Sequence, residues 1–300
     1  MTAVEWGRLS IAIVGGDERE QEIARLSALT GAAVRAHGFP WPDSGIEGVT
    51  QTGTAAEAMR DAHYALLPIP RGVDGALYAL QAPEPIRIEE DLFTPLRPGA
   101  HVICGRITPA LADASKNLPL TMHEYDPDPE LMRLRAAAVV EGVLQTAIAN
   151  TDVTIHGAAV AVVGFGNIGS VLTRRLLALG ADVHVAARNP IQRAAAAADG
   201  ARSLPLEELP QLASQLSMIF STVPARVVDR SVLERLPRGS LVLDIVPPPD
   251  RSDLELAASL GHRAVWARGL GRRAPITVGG SQWFGIRRMI EEIESAKGDS

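Results

Sequence analysis

Hydrophobic and polar positions alternate in blocks along this chain. Residues 9–14 form an apolar, β-prone run that Gly15-Gly16-Asp17 breaks, and apolar positions then recur at helical spacing over 18–29, at Ile23, Leu26 and Leu29. That pattern predicts strand, turn and helix. The alternation continues with strands at 32–37, 64–69 and 101–104 and helices at 54–61 and 89–93. From 129 to 150 the spacing is helical throughout, with Asp128 placed to cap it and Leu131, Leu134, Ala138, Val143 and Ala147 on one side. Beyond it the pattern predicts strands at 160–163, 181–187, 217–223, 240–246 and 263–267. Helices at 168–179, 190–199, 206–215, 229–236 and 252–260 fit between them, and 277–296 reads as a terminal helix.

Strands alternating with helices imply parallel sheets covered on both faces. The predicted class is α/β, with two doubly wound parallel-sheet domains. The N-terminal one, 1–128, is flavodoxin- or Rossmann-like, and the C-terminal one, 151–276, is a Rossmann domain. Residues 129–150 form a connector helix, and 277–300 a C-terminal helix that returns to pack on the first domain.

Composition narrows the class. Of 300 residues, 46% are hydrophobic and 21% charged, as in ordinary globular proteins. A formal net charge of −6 argues against a nucleic-acid or anionic-membrane partner. The single cysteine, Cys104, lies in Val-Ile-Cys-Gly, so no disulfide framework or thiolate metal cluster is expected, and no metal site. The N-terminus runs through Glu5, Arg8 and Asp17 without an apolar signal core, which points to the cytoplasm.

The most informative stretch is Val160-Ala-Val-Val-Gly-Phe-Gly-Asn-Ile-Gly169, a β-branched run that turns through G-x-G-x-x-G into a helical pattern. Gly164 permits the tight turn, Gly166 lets bare backbone approach a pyrophosphate, and Gly169 lets the helix pack close to its strand. Asn167 and Ile168 lie between them, at the helix N-terminus where unpaired N–H groups favour negative charge. The second strand, near 181–187, completes a β-α-β unit and so a dinucleotide site. A site for NAD places Asp or Glu at the end of that strand; here Arg188 and Asn189 stand there, with Arg193 nearby. A guanidinium matches a 2′-phosphate, so NADP is favoured, with NAD possible.

Several further segments resemble a known family. Ile13-Val-Gly-Gly-Asp-Glu-Arg19, Leu66-Leu-Pro-Ile-Pro70, Glu141-Gly142, Thr151-Asp-Val-Thr-Ile-His-Gly157, Val163-to-Gly169, Val185-Ala-Ala-Arg188 and Thr222-Val-Pro-Ala225 are similar to segments of dipicolinate synthase A subunits. The chain departs from that pattern twice: Pro247-Pro248-Pro249 replaces a lysine-bearing Ser-Lys-Pro, and Ile276 stands where a lysine is expected in Ala-Pro-Lys-Thr.

The resemblance implies a dehydrogenase that oxidises dihydrodipicolinate to dipicolinate in spore formation. It also implies a partner, the flavoprotein-like B subunit, and homo-oligomerisation is expected. The first domain then takes the small dicarboxylate and the second takes NADP. Arg19, just past the first turn, is the favoured carboxylate ligand, with Arg71 and Arg106 as second choices. Asp17 is a candidate acid/base group or an N-cap, and Glu141 a candidate to orient substrate or relay a proton. Thr222, Val223 and Pro224 follow the fourth strand of the nucleotide domain, and Ile245 ends the fifth; both are placed to meet the nicotinamide end.

Two other functions compete. A 2-hydroxyacid-dehydrogenase-like oxidoreductase shares the layout, but such enzymes carry a late catalytic histidine and nothing after His262 is histidine. A non-catalytic NADP-binding sensor or scaffold protein is kept open by the two missing lysines.

Overall fold

The structure is a computed structural model that describes residues 4–70, 75–246 and 252–298. Arg71 and Pro247–Pro249 lie outside the described residues. Twelve strands are described: β1 (Ser10–Val14), β2 (Ala33–His37), β3 (Val49–Gln51), β4 (Tyr64–Leu66), β5 (Ala100–Cys104), β6 (Leu120–Glu124), β7 (Ala159–Val163), β8 (Asp182–Ala186), β9 (Arg202–Leu204), β10 (Met218–Ser221), β11 (Leu241–Asp244) and β12 (Arg263–Trp266). They form two six-stranded sheets in the orders β3-β2-β1-β4-β5-β6 and β9-β8-β7-β10-β11-β12. Every strand pair is parallel. Both sheets therefore have the doubly wound 3-2-1-4-5-6 order, whose chain direction switches beside the first strand. The flavodoxin-like order is not the one adopted by the first sheet.

Two compact units result. One comprises 1–135 together with 274–300, and the other 136–273. In the first unit, Ile11, Ile13, Val34, Leu66 and Ile103 project from one sheet face and pack with Ile23, Trp283, Ile286 and Ile290. Ile23 belongs to the helix Glu18–Ala28 and the other three to the helix Pro275–Gly298. The C-terminal helix thus covers the first sheet, which it can do because its inward positions are large and apolar. The opposite face buries Ala12, Val14, Ala65, Val102 and Cys104 under Met59, Phe93 and Leu111. In the second unit, Val160, Val162, Val183, Val185, Phe220 and Leu243 pack beneath Leu172 and Leu176 of the helix Asn167–Ala178. Alternation of these side chains between faces is the period-2 pattern of a strand buried on both sides.

The elements missing from the sequence-based expectation are β3, β6, β9 and the helix Pro109–Ser115. The strands β3 and β9 are three-residue sheet edges whose side chains are largely exposed, and β6 is the polar edge of the first sheet. Edge strands need no continuous apolar run, so hydropathy does not mark them. The predicted helix at 206–215 is broken into two 3-10 turns around the α-helical turn Leu209–Leu212. Pro210, which has no backbone N–H to donate, stands within this stretch. No described helix is long and apolar enough to cross a membrane.

Candidate functional site: the glycine turn of the second unit

In the second unit the glycine turn lies at the carboxyl end of β7, beside the switch point between β7 and β10, where open α/β sheets collect ligands. Gly164 has φ +96°, a conformation L side chains rarely adopt, and its N–H is held by the Ala186 carbonyl at 2.9 Å. A Cβ on Gly164 would stand 2.4 Å from Val223 Cγ1, and one on Gly169 would stand 2.2 Å from the Gly164 carbonyl oxygen. A Cβ on Gly166 would meet nothing within 4 Å. Two of the glycines are thus demanded by packing inside the protein, whereas Gly166 borders open space.

The helix Asn167–Ala178 starts there with no side-chain cap. Ser170 N–H reaches the Gly166 carbonyl at 3.0 Å, but the N–H groups of Phe165, Gly166, Asn167, Ile168 and Gly169 have no acceptor among the described residues. A run of unpaired donors at a helix N-terminus is an anion site by construction.

The neighbouring loops close around this turn. The Thr222 hydroxyl donates to the Val163 carbonyl at 2.9 Å, which ties the loop after β10 to the end of β7 and brings Val223 against Gly164. Pro224 is exposed in that loop. Ile245, half-buried beyond β11, donates its N–H to the Ser221 carbonyl at 3.3 Å. Asp244 is buried and acts as a loop clamp, accepting from Val246 N–H at 2.7 Å and from both N–H and hydroxyl of Ser252 at 2.6 Å.

Past β8, Arg188 is exposed and makes no side-chain hydrogen bond or ion pair among the described residues. Arg193 instead works inward, since its Nη1 donates to the carbonyls of Ala187 and Arg188 at 2.9 and 2.8 Å and so braces the turn that carries Arg188. The Asn189 side chain caps the helix Pro190–Ala198 by accepting from Ile191 N–H at 2.8 Å. Its carbonyl oxygen is therefore committed to the fold, while its exposed amide nitrogen has no partner among the described residues. Glu141 is exposed on the helix Pro129–Ala149 and pairs with Arg273.

The first unit uses its corresponding turn differently. Asp17 N-caps the helix Glu18–Ala28 in a capping box, with Glu20 accepting from the Asp17 N–H at 2.7 Å. The Arg19 guanidinium meets Asp17 through Nε to Oδ1 at 2.7 Å and Nη2 to Oδ2 at 2.9 Å, both residues being buried. On sequence grounds Arg19 offers this fork to a substrate, and Asp17 is either an acid/base group or an N-cap. The structure shows Asp17 as the N-cap and turns the Arg19 fork onto it, since a buried charge must be paired. Burial by itself lowers the Arg19 pKa, but the Asp17 hydrogen bond and the Glu20 and Asp17 charges raise it above the ordinary value.

Glu20, which the hydropathy pattern did not single out, is the unusual acid of this unit. Burial pushes its carboxyl up to about 7, against the opposing pull of Arg19 and the Asp17 N–H. Its Oε1 is buried without a hydrogen-bond partner. The Asp17-x-x-Glu20 spacing of a capping box is the signal that could have found it. Of the second-choice cations, Arg106 is 62% exposed and touches Asp126 by Nε at 3.2 Å, while Arg135 holds the other oxygen of Asp126 at 2.6 Å. Cys104 is fully buried and its thiol is pushed up to about 12 by burial, so it is no nucleophile. Among the described residues no group of His, Cys, Asp and Glu is arranged to hold a metal ion.

Residues 10–125 match the family model for the N-terminal domain of the dipicolinate synthase A subunit. Residues 132–245 match that for the D-isomer specific 2-hydroxyacid dehydrogenase, NAD binding domain. The dipicolinate synthase A subunit of Bacillus subtilis (strain 168) is 29% identical over 297 residues, covering 97% of this chain and 98% of that protein. The crystal structure of the dipicolinate synthase A subunit from Bacillus halodurans superposes with a TM-score of 0.86 at 28% identity, over 96% of this chain and 99% of that one. Transhydrogenase from Sinorhizobium meliloti, at 16% identity and a TM-score of 0.66 over 94% of each chain, shares the fold. The unpaired N–H run thus lies in a domain that matches a nicotinamide-dinucleotide-binding model, and the chain is an oxidoreductase similar along its length to dipicolinate synthase A subunits.

Proposed function

We propose that this chain oxidises dihydrodipicolinate to dipicolinate with NADP. The observation that carries the dinucleotide part is the unpaired N–H run from Phe165 to Gly169 beside the open face of Gly166. The substrate part rests on the similarity to dipicolinate synthase A subunits along the chain. The turn from Gly164 to Gly169 would hold the pyrophosphate, and the loop Thr222–Pro224 with Ile245 would border the nicotinamide end. Arg188 supports NADP over NAD, since it is an exposed cation with no ion pair among the described residues at the end of the second strand, on a turn braced by Arg193.

The bound dinucleotide supplies the hydride acceptor. The reaction balances as dihydrodipicolinate plus NADP⁺ giving dipicolinate, NADPH and one proton, and ring aromatisation drives it. With Arg19 consumed by Asp17, the exposed Arg106, only partly engaged by Asp126, is the described cation we assign to receive a substrate carboxylate. A hydroxyacid dehydrogenase activity has less support. His262 is buried, with Nε2 bonded to the Leu233 carbonyl at 2.9 Å, and cannot serve as an exposed base.

We place the protein in the cytoplasm, in an assembly that includes the B subunit together with further copies of this chain. The test is to incubate it with NADP and a running dihydrodipicolinate synthase reaction, with and without purified B subunit, and to record the ultraviolet bands of dipicolinate. Formation of those bands with stoichiometric NADPH supports the proposal. Measurable NADP binding with no dipicolinate, even with B subunit present, would replace it by a sensing or scaffolding role, the reading favoured by the closed Asp17–Arg19 pair and by exposed Ile276 in place of a cation.

A further inference from the structure

The first unit contains a cavity that the proposed reaction leaves unused. It measures 520 Å³ and is lined by His37, Gly38, Phe39, Trp41, Thr52 and Gln81 among others, past the ends of β2 and β3. That volume is within the about 300–1,000 Å³ of small-molecule sites. In the matching 3-2-1-4-5-6 order of the second sheet, the same position past the second strand carries Arg188, where the adenosine half of a dinucleotide is held.

The walls are preformed. Phe39 and Trp41 stack with centroids 5.6 Å apart and planes at 26°. Their loop is pinned by Gln21 Nε2 on the Pro40 carbonyl at 2.7 Å, by Trp41 N–H on Gln81 Oε1 at 3.1 Å, and by Gln81 N–H on the Gly38 carbonyl at 3.3 Å. Gly38 is required, with φ +91° and a Cβ site only 3.0 Å from Ile86 Cδ1.

Its polar groups are selective. His37 Nδ1 lies 3.0 Å from the Thr52 carbonyl, an oxygen that can only accept, so Nδ1 is the donor and, in the neutral ring, Nε2 is an acceptor. The Gln81 amide nitrogen is a donor with no partner among the described residues, because its oxygen serves Trp41. Among the described residues no Lys, Arg, Asp or Glu lines the cavity.

The adjoining glycine turn cannot hold phosphate. Gly15 N–H is taken by the His37 carbonyl at 2.8 Å, Gly16 N–H by the Tyr78 carbonyl at 2.6 Å, and Asp17 N–H by Glu20. The Asp17 and Glu20 carboxyl groups take the N–H groups of this turn that a phosphate would need. The geometry points to a second ligand site in this protein, for a phosphate-free purine nucleoside. Its base stacks on the partly exposed Trp41, which buried Phe39 backs from behind, and its edge is read by the His37 acceptor and the Gln81 donor, a pairing suited to an adenine edge.

The probe is adenosine, titrated into the full chain with NADP saturating the other unit and followed by calorimetry. One adenosine per chain is expected to bind beside NADP, with 5′-AMP no tighter than adenosine. Trp41→Ala should weaken it about tenfold or more. Gln51→Leu, on an exposed lining residue without a side-chain hydrogen bond among the described residues, should also weaken adenosine while leaving the unfolding midpoint unchanged. Arg188→Ala should leave adenosine binding alone. No heat up to about 10 mM, displacement of adenosine by NADP, equal affinity in Trp41→Ala, or a Trp41-dependent preference for a neutral sugar over adenosine would each overturn the assignment. If NADP itself fails to bind, the same titration without it still reads this site through Trp41→Ala, so the two readings fail separately.

Discussion

Asp17 and Arg19, two residues apart, lock each other in a buried bidentate pair with Nε–Oδ1 at 2.7 Å and Nη2–Oδ2 at 2.9 Å, while Asp17 also caps the helix Glu18–Ala28. Removing either partner strands a buried charge, which costs about 3–5 kcal/mol. Asp17→Ala should cost the most, since it also deletes the cap. Arg19→Met should be partly repaired by adding Asp17→Asn, because the double variant has no unpaired charge left. Denaturant midpoints of the three proteins decide it, and an Arg19→Met protein as stable as wild type would show that the guanidinium contributes no stability.

Stability should fall between mildly acidic and neutral pH because of Glu20. Burial raises its carboxyl from 4.5 to about 7 in the folded protein. Below 4.5 the acid is protonated in both folded and unfolded chains. From there to about 7 the folded chain binds the proton more tightly, so its advantage shrinks as pH rises and is gone above 7. The loss is roughly 3 kcal/mol at about 1.4 kcal/mol per pH unit. Glu20→Gln should flatten that slope in urea denaturation series, and an unchanged slope would assign the pH dependence elsewhere.

Charge selects the dinucleotide at Arg188. Arg188→Ala should weaken NADP by about tenfold or more and NAD by much less, since only the former presents a 2′-phosphate. Equal losses in calorimetry would separate this arginine from the phosphate.

The two glycines at the start of the helix Asn167–Ala178 should respond oppositely. At Gly166, with φ −86° and open space around a Cβ, alanine should leave the melting temperature near wild type while dinucleotide affinity falls. At Gly169 the new Cβ would sit 2.2 Å from the Gly164 carbonyl oxygen, so Gly169→Ala should lower the melting temperature, and affinity with it. Thermal melts with and without NADP separate the two effects.

Glu141 and Arg273 form an exposed pair, and such pairs contribute about 0–1 kcal/mol. Glu141→Gln should therefore leave stability almost unchanged. A large fall in dipicolinate formation in that variant would assign Glu141 to the substrate.

Much of the architecture is written locally. Val160–Val163 running into Gly164, Gly166 and Gly169 specifies a strand, a tight turn and a closely packed helix through residue size and backbone freedom alone. The apolar runs at β1, β5 and β10 likewise need only their own side chains to declare a strand buried on both faces. By itself, then, the amino-acid order determined the α/β class, the dinucleotide turn and the cation after the second strand of its unit. What it could not determine is which charges remain free once the chain is packed. Arg19 and Arg188 look alike as exposed guanidiniums past a strand; folding closes Asp17 onto Arg19 inside the first unit and leaves Arg188 in solvent. The edge strands β3, β6 and β9 were hidden for a related reason, since they are held by hydrogen bonds to a neighbouring strand rather than by apolar runs of their own. Pairing, burial and the rise of the Glu20 carboxyl depend on groups brought together through space, and only the tertiary structure decides those.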